Sequence, residues 1–303
     1  MKEVFKDGLF VIIFIFLFII CSNIFVLKGN YYGSDVISFY NLKKNSLDII
    51  FLGSSHSYAS FSPDIIFKDT NLKSYNFATQ QQPIYITYHY MKETLKTQKP
   101  KYFVLETFML TNDLEYTKEG VNRDAIDKMK LSLNKIKAIQ ASVKDKDERL
   151  SYYINIIKYH SRYDELTLKD IKDGILYRGI DNKGYIELTQ NYDVFVNNNE
   201  VLKINDIEKI SDKNLLYLNK MVQLCKDNNI KLILVSAPCK LSMEMQKKYN
   251  WLRLYAKLNS LDFIDYNVEN INLTPGDFYD TGHLSKSGSI KISNDIKKYF
   301  LNK

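Results

Sequence analysis

The sequence predicts an α/β protein, a three-layer sandwich with helices on both faces of a parallel sheet, plus an N-terminal transmembrane helix and a helical insertion. Short apolar runs alternate with helix-length amphipathic segments, which is the pattern of β-α-β units. An uncharged apolar run lies close to the N-terminus, and one long segment without apolar strand runs interrupts the alternation. The chain has 303 residues, of which 45% are apolar and 25% charged, so it can bury a large core and wholesale disorder is excluded.

The N-terminal apolar run covers residues 9–27 and contains no charge. As a helix it spans roughly 28 Å, which is close to the thickness of the hydrocarbon core of a membrane. The alternative is a cleaved signal peptide, but the apolar part of such a peptide is shorter, and no A-x-A-like cleavage site follows here. We therefore predict an uncleaved anchor over residues 1–27, followed by a stalk over residues 28–46.

The orientation of this anchor does not follow from the flanking lysines, because they are not more frequent before the helix than after it. Long soluble domains cross membranes largely regardless of flanking charge. We interpret the chain as a single-pass protein of a bacterial cell membrane with its domain, residues 47–303, outside the cytoplasm. The net charge of +7 is too mild to indicate a nucleic-acid partner and suits a nearby anionic surface or an acidic polymer.

Each element of the sandwich is predicted from its own pattern. Apolar runs of strand length cover residues 48–52, 102–105, 231–235 and 263–265. Helical stretches cover residues 84–97, 211–227, 243–259 and 287–301. Residues 112–208 are charged and helix-prone at first and irregular later, and an insertion of this length between core strands is typical of a lid or a partner surface.

The first predicted strand ends in the segment Gly53-Ser54-Ser55-His56-Ser57. Ligands of open parallel sheets bind beyond the carboxyl ends of the strands, so residues there are the first candidates for chemistry. A serine on a strand-to-helix turn has an exposed hydroxyl, and the backbone N–H groups of the helix N-terminus lie beside any oxyanion that develops. The motif alone is weak evidence, because the same residues are common in turns and helix caps.

A second candidate lies just before the last predicted helix, where Asp280 and His283 stand three residues apart. In a helical turn the two side chains can face the same way. The carboxylate can then orient the imidazole while the imidazole takes a proton from a serine. The structural alternative is that Asp280 caps the last helix and His283 packs on the sheet.

Together, a serine after the first strand and D-x-x-H before the last helix give the chain order of the SGNH (GDSL-like) hydrolases, which the sequence resembles over about residues 47–302. Gly53-Ser54-Ser55 would match the Gly-Asp-Ser block of that family. The resemblance implies a flavodoxin-like parallel sheet and an acyl-handling enzyme in which Ser55 is the nucleophile, His283 the base and Asp280 the orienting acid. No cofactor is expected.

The middle blocks depart from the pattern of the family. Asn76 matches the asparagine of the second block, but Gln81 stands where the family has glycine. Since only a backbone N–H is needed from that position, Gln81 is compatible with an oxyanion hole. The third block is absent, and Glu106 and Thr107 follow the strand there. A carboxylate at that place would oppose an oxyanion unless it is paired or turned away. The resemblance nevertheless places Asn76, Gln81, Glu106 and Thr107 at the oxyanion hole or in the pocket.

With these departures the sequence is similar to a membrane-anchored subset of the family, the D-alanyl transfer protein of teichoic-acid modification and accessory proteins of polysaccharide O-acetylation. The segment of the insertion around His160 and Arg162 also looks like segments of such proteins. We expect Arg162, with His160, to reach the cleft and to offset the charge of Glu106. The alternative is an amphipathic surface helix with solvated charges.

Other kinds of site have little support in the sequence. The four histidines show no H-x-H or H-E-x-x-H spacing and no C-x-x-C pair is present, so no metal site is predicted. His56 directly follows Ser55, and neighbouring side chains on a helix diverge, so we interpret His56 as a pocket wall rather than the base. Cys225 and Cys239 could form a disulfide in an external domain or stay as free buried thiols.

Three functions follow from these observations. The first is acyl transfer at the outer face of the membrane, from a membrane-bound O-acyltransferase partner through Ser55 to a hydroxyl of a glycan or a teichoic-acid-like acceptor. The second is an anchored esterase or deacetylase that uses the same three residues and releases the acyl group to water. The third is a non-catalytic glycan-binding scaffold on a degenerate fold of this family. The resemblance favours the first.

Overall fold

A parallel sheet forms the centre of the protein. The computed structural model describes residues 2–26, 36–113, 118–190, 192, 194, 196–269 and 271–302. The strands of these described residues are β1 Ile49–Gly53, β2 Ser74–Ala78, β3 Tyr102–Glu106, β4 Lys231–Ser236 and β5 Asp262–Asp265. Their order in the sheet is β2-β1-β3-β4-β5, and neighbouring strands are parallel. The predicted α/β fold class is confirmed.

Fourteen α-helices are present in the described residues, and several of them cover the two faces of the sheet. They are α1 Lys2–Phe25, α2 Val36–Tyr40, α3 Ser55–Ser60, α4 Pro63–Thr70, α5 Ile84–Leu95, α6 Phe108–Thr111, α7 Glu119–Ile126, α8 Leu133–Ser142, α9 Lys146–Tyr153, α10 Ile156–Tyr159, α11 Leu168–Leu176, α12 Asp212–Asp227, α13 Met243–Leu258 and α14 Lys286–Leu301. Serines begin two of the long ones, because Ser211 and Ser242 accept hydrogen bonds from backbone N–H groups in the first turns of α12 and α13.

Side chains of the strands alternate between two apolar cores, one on each face of the sheet. Ile50 and Leu52 of β1 point into a core that α5, α12 and α13 cover. Ile49 and Phe51 point the opposite way into a core that α4 and α14 cover. The two cores make the three layers of the sandwich.

Four of the five strands agree with the sequence prediction to within one residue, and β2 is the exception. The sequence does not predict β2, because Ser74 and Asn76 interrupt its apolar run. Both polar side chains are buried all the same. Asn76 Nδ2 donates to the carbonyl of Phe61 over 2.8 Å, and this hydrogen bond lets a polar residue occupy a buried strand.

The insertion lies between β3 and β4, as predicted, and its described residues form helices and no strand. It has a buried polar interior of its own. The Arg123 side chain, only 4% exposed, donates to Glu119 over 2.7 Å and lies over the ring of Tyr152 at 3.9 Å from its centroid. These contacts make the insertion a folded part of the protein and not a loose loop.

The boundaries of the anchor, the stalk and the domain stay predictions. Residues 27–35, in the predicted stalk, lie outside the described residues. Helix α2 falls in the later part of the predicted stalk and packs on the core, where Phe39 is buried and stacks on Phe77 with ring centroids 4.1 Å apart. Helix α2 is therefore docked on the sandwich.

Helix α1 contains the apolar run of the N-terminus. Its segment Lys6–Phe25 is long enough and apolar enough to cross a membrane, with a mean hydropathy of 2.8. Large apolar side chains from Leu9 to Ile19 are exposed. The far end of α1 packs against helices of the insertion.

Candidate active site

Ser55 stands at the turn between β1 and α3. Gly53 ends the strand, and Ser55 is the first residue of the helix. Gly53 has a φ of +140°, and a Cβ on it would lie 2.9 Å from Glu106 Cβ, so the turn requires glycine. The neighbouring strand β3 therefore fixes the position of the turn, and Ser55 is only 8% exposed.

A narrow loop before α14 carries Asp280 and His283. Phe278 and Leu284 pair across this loop as an antiparallel bridge. Within it, Asp280 Oδ1 accepts the backbone N–H groups of Gly282 over 2.7 Å and of His283 over 2.8 Å. The sequence predicts that the two side chains face the same way, and they do so through this loop and not through a helical turn.

The structure brings the three residues of the main sequence prediction together. His283 Nε2 lies 2.8 Å from Ser55 Oγ. On the other side of the ring, His283 Nδ1 lies 2.9 Å from both carboxylate oxygens of Asp280. The result is a continuous hydrogen-bonded chain from hydroxyl to imidazole to carboxylate. The catalytic roles of these residues stay predictions.

The charge of Asp280 is fixed by its neighbours. Burial alone would raise the pKa of this carboxyl, but the hydrogen bond from His283, the charge of His283 and the backbone N–H groups of Gly282 and His283 outweigh it and lower the pKa to about 2. Asp280 is therefore ionised at any pH near neutrality. An ionised Asp280 holds the Nδ1 proton of His283 and leaves Nε2 free to accept the proton of Ser55.

The three residues line a pocket of about 610 Å³ at the carboxyl end of the sheet. This volume is in the usual range for small-molecule sites. The other residues of the wall are Ser54, His56, Tyr58, Gln80, Gln81, Phe108, Met109, Asn112, Leu188, Cys239, Lys240, Met245, Tyr279, Thr281 and Gly282. The wall is mixed, with apolar side chains that could contact an acyl group and polar ones that could contact its carrier.

His56 forms part of this wall. Its ring stacks on Phe108 with centroids 3.7 Å apart and lies 4.9 Å from the ring of His283. Burial lowers the pKa of His56 well below its usual range, and the proximity of His283 lowers it further. His56 is therefore neutral at neutral pH, and it does not repel the charged form of His283.

Glu106 and Thr107 lie beneath the pocket and not in its wall, which corrects their predicted placement. Glu106 Oε1 accepts the N–H groups of Phe108 (3.0 Å) and Ala237 (3.5 Å). Complete burial raises the pKa of Glu106 to about 8 in spite of these hydrogen bonds. Thr107 turns inward, because its N–H and its Oγ1 both donate to the carbonyl of Val235. Glu106 is therefore protonated at neutral pH and places no negative charge under an oxyanion.

Glu106→Gln is expected to remove a pH dependence of stability. The folded state holds a proton on Glu106 up to about pH 8, whereas the unfolded chain loses it near its ordinary pKa of about 4.3. The folded state thus binds more protons in this window, so the free energy of unfolding falls as pH rises, by up to about 1.4 kcal/mol per pH unit. Glutamine mimics the protonated form and carries no such proton. Denaturant unfolding in detergent at pH 5, 6.5 and 8 measures the slope.

The matched control for this prediction is Glu200→Gln, because Glu200 is exposed and pairs only with Lys203 at the surface. The control should keep the slope of the parent chain, whereas Glu106→Gln should be flatter and more stable at pH 8. An unchanged slope in Glu106→Gln would show that Glu106 is ionised in the folded state.

Arg162 and His160 do not reach the cleft, which corrects a second prediction. Arg162 Nη1 donates to the carbonyl of Phe25 at the end of α1, and Arg162 Nη2 donates to Asp170 over 3.1 Å. His160 is exposed, and its Nδ1 contacts the carbonyl of Ile157 at 2.9 Å. These contacts hold Arg162 between α1 and α11 and His160 at the surface of the insertion. The burial of Glu106 as a neutral acid explains why no arginine is needed beside it.

The two residues matched to the second block of the family have different places. Asn76 is fully buried in β2 and bonded to the backbone, so it does not face the pocket, and its predicted role at the oxyanion is corrected. Gln81 lines the pocket with a φ of +48°, a conformation that glycine adopts most readily. Gln81 therefore has the backbone conformation that favours glycine, although residue 81 is not a glycine.

Sequence reasoning missed several residues of the pocket. Phe108 and Asn112 are four residues apart at the exit of β3, a spacing that places both on one side of a helical turn. That spacing was a usable signal. Lys240 and Met245 had none, because Lys240 lies in the loop after β4 and Met245 in the first turn of α13, and both reach the pocket only through the fold.

Metal and disulfide chemistry have no structural basis in the described part of the chain. Within it, no group of three or more His, Cys, Asp or Glu side chains could hold a metal ion. Cys225 and Cys239 are both buried and unpaired as disulfides. Burial raises the pKa of the Cys225 thiol to about 12 and also raises that of Cys239, which keeps both protonated.

Comparison with known proteins adds only distant structural likenesses. No protein-family model matches the sequence, and no curated protein is similar enough to match it. A solved protein assigned to the lipolytic G-D-S-L family, from Desulfitobacterium hafniense, is similar at 12% identity and a TM-score of 0.43, over 84% of this chain and 99% of that one. An acetyl xylan esterase is similar at 13% identity and a TM-score of 0.41, over 84% of this chain and 99% of that one. The acetyl xylan esterase Est2A from the rumen bacterium Butyrivibrio proteoclasticus is similar at 10% identity and a TM-score of 0.37, over 86% of this chain and 65% of that one.

The chain has a parallel sheet with the flavodoxin-like strand order. Its sheet has the order β2-β1-β3-β4-β5, its candidate serine follows β1, and its Asp-x-x-His segment precedes the final helix. This is the arrangement that the resemblance in the sequence implies.

Proposed function

We propose that the chain is a membrane-anchored serine acyltransferase, which acts outside the cytoplasm of a bacterial cell and passes an acyl group through Ser55 to a cell-surface or secreted glycan. The observation that carries this proposal is the hydrogen-bonded chain from Ser55 Oγ through His283 to Asp280 in the wall of the pocket. A nucleophile, a base and an orienting carboxylate in this order are what acyl transfer through serine requires.

In the first half of the proposed reaction, Ser55 Oγ attacks the carbonyl carbon of an acyl donor. The hydroxyl proton moves to His283 Nε2, which lies 2.8 Å away. The imidazolium is stabilised by Asp280 on its other side. When the bond to the donor breaks, His283 returns the proton to the leaving group, and the acyl group is left as an ester on Ser55.

In the second half, a hydroxyl of the acceptor takes the place of the leaving group. His283 Nε2 removes its proton, the acceptor oxygen attacks the ester carbon, and the bond to Ser55 Oγ breaks. His283 then returns the proton to Ser55 Oγ. The acceptor gains the acyl group, and the three side chains end in their starting states.

The oxyanion of each tetrahedral intermediate needs hydrogen-bond donors beside Ser55. Ser55 is the first residue of α3, where a backbone N–H has no partner within the helix. Gln81 and Asn112 also line the pocket, and each carries a backbone N–H and a side-chain amide. The neutral state of Glu106 removes the negative charge that would otherwise oppose the oxyanion.

The proposal also assigns the surroundings of the enzyme. Helix α1 would be inserted in the lipid bilayer as the single-pass anchor, with the pocket outside. A fixed position on the membrane suits a donor that is itself a membrane-bound O-acyltransferase and an acceptor that is a glycan or a teichoic-acid-like polymer near the surface. The net charge of +7 suits an anionic acceptor of this kind.

An anchored esterase or deacetylase is the alternative with a specific observation behind it. His283 Nε2 reaches Ser55 Oγ directly, so in an acyl-enzyme it would lie beside the ester and could deprotonate water as readily as a sugar hydroxyl. A non-catalytic glycan-binding scaffold is less supported, because a binder has no need of a hydrogen-bonded Ser55, His283 and Asp280.

Product analysis tests the proposal. The purified full chain is incubated with a small acyl ester, with and without an oligosaccharide acceptor, and acylated sugar and free acid are both measured. We expect acylated oligosaccharide when the acceptor is present and a slow release of free acid without it. Free acid alone in both samples would replace the transferase with the esterase, and turnover no faster than in a Ser55→Ala sample would favour the scaffold.

A further inference from the structure

Helix α11 of the insertion is packed against the end of α1 at very short range. Gly174 faces Ile24 there, and a Cβ on Gly174 would lie 2.8 Å from Ile24 Cα. A separation this short is available only to glycine, and small residues at helix crossings are typical of helices that pack closely in membranes. The position of α11 is therefore set by the end of α1.

Arg162 ties the same two helices together. It donates to the carbonyl of Phe25, one of the last carbonyls of α1 without a helical partner, and to Asp170 in the first turn of α11. Asp170 also closes the capping box of α11 with Thr167. A cation at a helix C-terminus is favourable, so this contact stabilises both helix ends.

A row of apolar side chains on α11 is largely exposed in the described part of the chain. Leu168 is 85% exposed, Ile171 44%, and Ile175 and Leu176 58% each. They recur at helical spacing on one side of α11, while Asp170, bonded to Arg162, and Gly174, packed on Ile24, occupy the other. Helix α11 packs on the end of α1 at Ile24, so the row lies about one helix diameter, roughly 10 Å, from the end of the candidate membrane span.

We propose that this row of α11 lies in the outer boundary of the bilayer, between headgroups and acyl chains, and that it sets the height of the pocket above the membrane. An amphipathic helix of this kind lies in the plane of the boundary with its apolar side roughly 5–10 Å deep. The occupant is lipid and not a protein, because α11 packs against the end of α1, the one helix of the described chain that is long and apolar enough to span a bilayer. The inference rests on the anchored topology of the proposed function but on none of its chemistry.

Direct contacts also connect the end of α11 to the sandwich that carries the pocket. Asn41 Nδ2 donates to the carbonyl of Arg178 over 2.9 Å. Gly179, with a φ of +84°, lies so close to Ser38 of α2 that no side chain would fit. Helix α2 is in turn held in the core through Phe39. The depth of α11 in the boundary therefore fixes the distance of the sandwich from the membrane.

Lipid-quenching of a single tryptophan tests the inference. The native Trp251 is first replaced by Phe, and Ile175→Trp or Leu168→Trp is then introduced in the full chain, which is reconstituted in phosphatidylcholine vesicles. Lipids brominated on the acyl chains near the headgroup quench only tryptophans at that depth. We expect strong quenching at both positions of α11. The control is Leu133→Trp, because Leu133 is 77% exposed on α8 of the same insertion, and it should show no quenching.

Each other outcome is decisive. The inference would be overturned if the tryptophans at positions 168 and 175 were quenched no more than the tryptophan at position 133. It would also be overturned if the chain did not float with the vesicles. Gly174→Leu, added to Ile175→Trp, should reduce the quenching, because it forces α11 away from α1. Labelling of Ser55 by a fluorophosphonate in the same vesicles reports the proposed chemistry separately, so loss of quenching with intact labelling counts against α11 alone.

Discussion

Ser55→Ala is expected to abolish covalent labelling of the chain by a serine-directed fluorophosphonate and to remove turnover of acyl esters. The reason is that Ser55 Oγ is the hydroxyl that contacts His283 Nε2, at 2.8 Å. Loss of the nucleophile in serine enzymes of this kind costs about 10⁶-fold in kcat. Labelling is measured by mass spectrometry of the intact chain and turnover by release of a chromogenic alcohol.

Ser57→Ala is the matched control for this experiment. Ser57 lies in the same helix and is fully buried, and its Oγ has no hydrogen-bond partner among the described residues. Removal of this hydroxyl should change neither labelling nor turnover. Labelling that survives in Ser55→Ala would remove Ser55 as the nucleophile.

Asp280→Asn is expected to slow labelling and turnover by roughly 10³–10⁴-fold without abolishing them. Asp280 accepts the Nδ1 proton of His283 and so fixes the tautomer in which Nε2 accepts a proton from Ser55. Asparagine can also donate to Nδ1, which stabilises the wrong tautomer and leaves the proton on Nε2. Because the pKa of Asp280 is about 2, the parent chain should show no loss of rate from protonation of this carboxyl anywhere between pH 5 and 9.

Two measurements separate this effect from damage to the loop. The thermal unfolding of Asp280→Asn should stay close to that of the parent, because asparagine Oδ1 can still accept the backbone N–H groups of Gly282 and His283. The slow labelling should still occur at Ser55. A rate equal to that of the parent chain would show that the carboxylate does not orient the base.

The fold was predictable because its strands are short apolar runs bounded by polar segments, and β1, β3, β4 and β5 all carry that pattern. Strand β2 does not, since Ser74 and Asn76 lie inside it. A buried polar residue on a strand depends on a partner elsewhere in the fold, in this case the carbonyl of Phe61. Such a partner leaves no local trace in the sequence.

The candidate site was predictable where a reactive side chain stands at a position in which this fold places its ligands, and it was not predictable elsewhere. Ser55 was predicted because it follows the first strand, where parallel sheets place their ligands, and His283 was predicted because Asp280 stands three residues before it. The places of Glu106 and Arg162 were wrong for a different reason. The prediction treated Glu106 as charged, whereas burial raises its pKa and neutralises it. The prediction also lacked the contact between α1 and the insertion, and Arg162 takes its partner there, at the carbonyl of Phe25.

The hydrogen bond between Ser55 and His283 joins two residues that lie 228 positions apart in the chain. Synthesis proceeds from the N-terminus, and a domain reaches its native packing only after its segments are available. A nascent chain that has emerged as far as β4 therefore has the proposed nucleophile without the proposed base. The proposed activity would begin only when the loop of His283 has docked beside α3, so assembly of the candidate site depends on the packing of two distant segments of the chain.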